Sequence, residues 1–206
     1  MDIILSSISQ GLLWSVMAIG VYLTFRILDI ADMTAEGSYP LGAAVCATGI
    51  VNGLNPLLAT FLAMIAGMGA GLISGLLHTK LKIPALLTGI VTLTGLYSIN
   101  LKILGKANVA LLKQETLVTQ LQDFGLAKTN AVLVIGIIFV LAVVGVLTLL
   151  LNTQIGLAIR STGDNIPMSE ANGINVDRMK IYGYMMSNGL IALCGALLTQ
   201  NNGYAD

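Results

Sequence analysis

Apolar residues in this chain come in long uncharged blocks. No Asp, Glu, Lys or Arg occurs from Gly37 to Thr79, from Thr129 to Ile159, or from Ile181 to Ala205. A helix needs about 20 residues, at about 1.5 Å rise each, to cross the hydrocarbon of a bilayer. Six spans are predicted, at about Ile3–Phe25, Gly37–Leu54, Pro56–Leu77, Ile83–Leu101, Ala131–Leu151 and Ile181–Gln200. The second is short and opens with Gly37, Pro40 and Gly42, so the stretch Ala35–Gly42 is expected to be broken or irregular. Irregular backbone at membrane depth is tolerated only where protein or a wet cavity surrounds it. The stretch Asp29–Gly42 is therefore expected to line something.

Four polar stretches separate the blocks: Arg26–Glu36, His78–Lys82, Lys102–Asn130 and Asn152–Lys180. Placing Asn152–Lys180 in the cytoplasm puts Arg26, Lys80, Lys82, Arg160, Arg178 and Lys180 inside. Lys102, Lys106, Lys113 and Lys128 then fall outside, with both chain ends. The excess of basic residues inside favours this orientation. Asp2 is the only charge before Arg26, so a cleavable signal peptide is not expected and the first block should stay as a membrane helix.

Composition agrees. Of 206 residues, 56 % are hydrophobic and 10 % charged, against about 25 % charged in an average soluble domain. The fold class is therefore all-α, a polytopic helical membrane protein, and soluble enzymes, nucleic-acid binders and disulfide scaffolds are excluded as default readings. Ten basic and ten acidic residues leave no net charge, so no polyanionic partner is implied. Cys46 and Cys194 both lie in apolar blocks and read as buried thiols.

No catalytic constellation is visible. His78 is the only histidine and reads as a solvated side chain at a span end. No His/Cys/Asp/Glu cluster has metal-ligand spacing, so no metal is expected. The predicted span interiors hold only uncharged polar residues, among them Thr88, Thr92 and Asn100 in the fourth span and Ser187 and Asn188 in the sixth. Interhelical hydrogen bonding and the wall of a passage for a polar solute both use such residues. The candidates for a passage wall are Thr34, Glu36 and Ser38, around the start of the second span, with Thr88, Thr92 and Asn100. Gly67, Gly71 and Gly75 recur every four residues in the third span, a small-residue stripe for close helix packing.

The stretch Asn152–Lys180 has an organisation of its own. Ile155–Thr162 reads as helical and stops at Gly163, a residue suited to a helix C-terminus. Asp164 and Asn165 are good helix-start residues and Pro167 suits a first turn. A short helix over about 166–172 follows, ended by Gly173, and Asn175 caps the next helix. Ile166, Pro167 and Met168 are apolar residues on that short helix, suited to a partner's groove.

These residues resemble a known family. The pattern Gly156-Leu-Ala-Ile-Arg160-x-x-Gly163-Asp164-Asn165-x-Pro167-Met168-x-x-Ala171-x-Gly173-Ile174-Asn175 is similar to the coupling region of bacterial ABC-importer permeases of the branched-chain amino acid type, which are type II importer-like. Within that group the chain resembles tryptophan/tyrosine-type amino-acid permeases. Further matches are Asp32-Met-Thr-Ala-Glu36-Gly-Ser38, Lys82-Ile-Pro84-Ala-Leu-Leu-Thr-Gly89-Ile, and Leu96-Tyr-Ser-Ile-Asn100-Leu.

The resemblance implies a permease in the cytoplasmic (inner) membrane of a bacterium, moving a small polar solute such as an amino acid. It implies three protein partners: a cytoplasmic ATPase subunit, an extracytoplasmic solute-binding protein, and a second permease chain. ATP and Mg would bind the ATPase, leaving this chain without a cofactor and not itself an enzyme. The coupling element would comprise Gly163, Asp164, Asn165, Pro167, Met168, Glu170 and Gly173 in a cytoplasmic loop over 152–180. Such permeases continue into a second, inverted half. Residues 1–206 are thus expected to form one incomplete permease domain, C-terminally truncated relative to the family. Two other classes use the same features: a membrane scaffold that docks a partner and transports nothing, and an ion-coupled carrier. ATP-dependent uptake separates the first, and uptake that collapses with the membrane gradient identifies the second.

Overall fold

A computed structural model of the chain describes residues 2–106, 108–111, 114–123, 125 and 127–205; Lys113, one of the four lysines assigned outside, lies beyond the described residues. The apolar blocks fold as helices: α1 (Asp2–Tyr22), α2 (Ala35–Val51), α3 (Pro56–Thr79), α4 (Ala85–Leu104), α5 (Leu117–Asp123), α6 (Lys128–Leu151), α7 (Gln154–Asp164), α8 (Ile166–Ala171) and α9 (Val176–Asn202). α1 continues through one wide π-helical turn, Leu23–Ile27. Among the described residues, five helical segments are long and apolar enough to cross a membrane: 3–27, α3, α4, α6 and α9. The expected second span is α2, whose 17 residues rise about 26 Å, slightly short of a bilayer's hydrocarbon.

α9 is the axis of the bundle. It packs against α3, α2 and α1, while α6 leans on α1 and α4 on α2. Two apolar clusters flank it. One joins Leu13, Val16, Val132 and Ile135 to Leu193 and Leu197, and the other joins Cys46, Ala47, Ala59 and Ala63 to Ala196. Both cysteines are buried free thiols. The outer faces of α3, α4 and α6 carry exposed Leu and Ile side chains such as Ile65, Ile90 and Leu141. In water such faces would be a liability; against lipid they need no partner.

Local chemistry sets the helix ends. The Asn55 side chain accepts from Leu57 N–H at 2.9 Å and Pro56 follows at the first helical position, where its missing N–H costs nothing. Gly105 and Gly203, both left-handed, end α4 and α9. His78 is half-buried rather than freely solvated: its Nδ1 lies 2.8 Å from Ile83 O and closes the α3–α4 turn.

One expectation about the connections changes. The start of the second span is regular helix through Pro40, because Gly37 and Ser38 N–H both reach Thr34 O and the lost bond falls early in the helix. The irregular backbone is the strap just before it, residues 28–34. The described residues of the stretch 102–130 include α5 and a two-residue strand β1 (Val109–Ala110), which pairs antiparallel with β2 (Tyr204–Ala205), Val109 opposite Ala205. Gln200 fastens this end, accepting from Leu117 N–H at 3.0 Å and donating to Thr60 Oγ1 at 2.7 Å.

The packing fixes sidedness as a pattern. α7 rests on the end of α1, and the β1–β2 pair joins the α4–α6 connection to the chain after α9. Connections therefore alternate between two ends of the bundle, as the six-segment reading requires.

Candidate functional site

At one end of the bundle, three caps within 23 residues, 153 to 175, build α7, α8 and the start of α9. Thr153 accepts from Gly156 N–H, Asn165 from Met168 N–H at 3.0 Å, and Asn175 from Arg178 N–H at 3.0 Å. Asn165 serves two helices: its backbone, extended at φ −156°, ends α7 while its side chain starts α8. Gly173, at φ 78°, turns the chain back toward α9. Ser169 faces inward, 2.6 Å from Ser161 Oγ, and ties α8 to α7. Ile166, Pro167, Met168 and Glu170 face outward, with Met168 62 % exposed. An apolar tip held by caps at both ends is a rigid knob, and it lies outside the bundle.

Two residues of this segment differ from expectation. Gly163 is not a terminal cap but lies within α7, and Asp164 is the last residue of that helix rather than a helix start. The reason for glycine at 163 is contact: a Cβ there would overlap the Ile27 carbonyl and press on Leu28 Cα at 3.0 Å.

A chain of polar side chains runs into the bundle from the strap. Asp32 is 3 % exposed; one carboxylate oxygen accepts from Thr34 N–H at 2.9 Å and the other from the Asn188 amide at 2.8 Å. Asn188 in turn donates to Tyr184 O at 2.9 Å and accepts from Ser38 Oγ at 2.6 Å. A second branch links Thr34, Ser74 and Thr92 hydroxyls at 2.7 and 3.0 Å. Ser187 donates to Gly20 O at 2.7 Å. Buried polar groups are costly unless paired, and these are paired across helices. Among the described residues, two buried side-chain atoms have no hydrogen-bond partner, Asn100 Oδ1 and the Tyr184 hydroxyl.

Of the six passage candidates, five are buried. Thr34, Ser38 and Thr92 belong to the polar chain, Thr88 Oγ1 donates to Ile83 O at 3.4 Å, and Asn100 donates to Gly37 O at 3.4 Å. Glu36 alone among them is exposed, in the first turn of α2. Gly67, Gly71 and Gly75 lie against α9, where added Cβ atoms would overlap the Asn188 and Tyr184 carbonyls and approach Ile181 Cα at 3.0 Å.

Asp32 escaped the sequence reading. The stretch 26–36 has mixed charge and residues 29–42 are expected to line something, but nothing in the sequence singles out Asp32, which the structure buries against the middle of α9. The available signal was local: Asp32-x-Thr34 suits a turn in which the carboxylate takes the N–H two residues on.

Comparison with known proteins agrees with this architecture. The chain belongs to the family described as branched-chain amino acid transport system / permease component, which matches residues 3–206. It is 43 % identical over 203 residues to a tyrosine transport system permease protein of Clostridioides difficile, covering 98 % of this chain and 66 % of that protein. An uncharacterised protein of Rickettsia prowazekii is 34 % identical over 206 residues, covering 71 % of its length. An autoinducer 2 import system permease protein of Yersinia enterocolitica is 29 % identical, with 98 % of this chain and 53 % of that protein covered. The chain thus spans between about half and about seven-tenths of these relatives' length. No solved structure matches it. The protein is a multi-pass helical membrane protein of a transport permease family.

Proposed function

We propose that this chain is the membrane pathway subunit of an ATP-driven ABC importer in a bacterial cytoplasmic membrane, and that its solute is an amino acid or a related compound. The single observation that carries the reading is the capped knob at α8. Its apolar tip stands clear of the bundle while its root is fixed to α7, the form expected of an element that docks in a groove and passes on its movement. The tyrosine permease similarity supports an amino-acid cargo, with aromatic side chains the first to try.

In this reading an ATPase subunit holds ATP and Mg, a binding protein delivers the solute from outside, and a second permease chain completes the passage. Gly163, Asp164, Asn165, Pro167, Met168, Glu170 and Gly173 shape the docking segment. Thr34, Ser38, Thr88, Thr92 and Asn100 stand behind the passage wall, and Glu36 is the member placed on its surface.

The experiment is a photo-reactive side chain at the exposed Met168 position, cross-linked in native membranes and identified by mass spectrometry. Capture of an ATPase with a nucleotide-binding P-loop is expected. Pro167→Gly combined with Met168→Asp should abolish co-purification of that ATPase with the permease while membrane insertion persists. Association that survives the double substitution, or uptake that follows the membrane gradient with ATP withheld, would overturn the proposal.

A further inference from the structure

The strap at 28–34 packs against α7, α9, α4 and α3 and runs directly into α2. Three glycines on three helices make room for it. Gly163 of α7 lies on the Ile27 carbonyl and Leu28 Cα, Gly183 of α9 on the Leu28 side chain, and Gly89 of α4 on Met33 N, 2.7 Å from where a Cβ would stand. Leu28 and Ile30 of the strap form one apolar cluster with Ile159 of α7 and Tyr184 of α9. The strap is therefore wedged: α7 cannot move against it without displacing it, and it cannot move without dragging on α9 or α4. Packed interiors transmit such displacements because they compress little.

Apolar wedging would suffice if the strap only filled space. Instead it places a carboxylate, nearly inaccessible to solvent, between neutral donors: Thr34 N–H of its own turn and the Asn188 amide at mid-α9. A buried carboxylate is a costly way to fill space, and an acid held inside a membrane bundle is a functional hypothesis by default. Its bonds are directional. Asn188 is held in one orientation, its amide donating to both Asp32 and the Tyr184 carbonyl while its oxygen accepts from Ser38 of α2. One carboxylate thus registers the strap against α9, and through Asn188 against α2. Asp29, left-handed at φ 54°, marks where the strap leaves helical geometry.

We infer that Asp32 is a positioning residue for transport: it latches the strap to Asn188, so that displacement of α8 and α7 reaches α9 and α2 through the strap rather than being absorbed by it. The path is contiguous, from Ser169 and Ser161 joining α8 to α7, through Gly163 on Ile27 and Leu28, to Asp32 on Asn188. The inference rests on the importer reading above.

The test uses the full-length permease assembled with its ATPase subunit and binding protein in proteoliposomes, with a tritiated mixture of the twenty amino acids as probe. Uptake and ATP hydrolysis are measured together. Asp32→Asn leaves one acceptor where there were two, so its amide donor is set against either the Asn188 amide or the Thr34 N–H, and the Tyr184 carbonyl keeps Asn188 from turning over to accommodate it. Hydrolysis should persist while uptake per ATP falls about tenfold, within the range typical of coupling between sites. Asn188→Ala cuts the same link from the other side and should lower the ratio similarly. The double variant should be no worse than either single one, because both remove one interaction. Where Asp32→Asn fails to accumulate, Asn188→Ala is read alone on the same ratio. An unchanged ratio, a parallel loss of hydrolysis and uptake, or additive effects in the double variant would overturn the latch while leaving the importer intact. Wild-type vesicles without ATP-dependent uptake would instead overturn the importer reading, and the latch with it.

Discussion

α6 and α9 are both long, and their composition is inverted relative to their position. α6 is the most apolar of the spanning helices, yet only 22 % of an 18-residue stretch of it is buried; α9 is among the least apolar, and 78 % of such a stretch is buried. In a soluble protein the apolar helix would sit at the centre. In a bilayer the solvent is itself apolar, so hydrophobicity cannot draw a helix inward, and what does so is close packing and hydrogen bonding. α9 carries both means, with Gly183, Gly189 and Gly195 for approach and Ser187, Asn188 and Gln200 for bonds. α6 carries exposed Ile138, Leu141 and Leu149.

The contrast breaks most visibly at the α3–α9 seam. Gly71→Leu should cost about 3 kcal/mol, because its side chain meets Tyr184 backbone rather than a side chain that can yield. Gly69→Leu, two residues away and facing open space, should cost about 0.5 kcal/mol or less. Thermal unfolding of both variants in detergent checks the pair, and equal effects would dissolve the distinction. Asn188→Leu comes next. It makes the axis more apolar but strands Asp32 and Ser38, for an expected loss of about 2–3 kcal/mol, read from the midpoint of chemical denaturation. A neutral or stabilising result would mean that hydrophobicity ranks these helices after all.

Gln200→Leu should have a smaller and more local effect, about 1–2 kcal/mol. It frees Leu117 N–H and Thr60 Oγ1, so the amides of α5 should exchange faster with deuterium while those of α3 hold. Leu141→Ala on α6 should be nearly silent, about 0.5 kcal/mol or less, since the Leu141 side chain is 65 % exposed in the bundle and lipid can replace it. A drop in yield of correctly inserted protein comparable to that of Gly71→Leu would show that α6 contributes a protein interface.

What could be read from the sequence was what local chemistry decides. The membrane helices announce themselves through absent charge, and α8 through Asn165, Pro167 and Gly173, whose roles depend on neighbours within a few residues. The Gly67-Gly71-Gly75 stripe announced a close neighbour but not which helix it would be. Features set by distant partners stayed hidden. Gly163 looks like a terminator until Ile27 is seen against it. Asp32 reads as one charge in a mixed polar stretch until α9 covers it. β1 and β2 are two residues each, too short for alternation to show, and exist only because they meet. α9's central place was likewise invisible, since hydropathy ranks helices by affinity for lipid and not by affinity for one another.

The glycine stripe carries a mechanical consequence. Where backbone lies on backbone, two helices cannot slide: each step would lift a carbonyl over a neighbouring main chain with no flexible side chain to cushion it. α3 and α9 therefore form a single stiff beam. Any opening and closing of this bundle must swing that beam whole, with the bending left to joints such as the wide turn at the end of α1, where the helical ladder is already loosened.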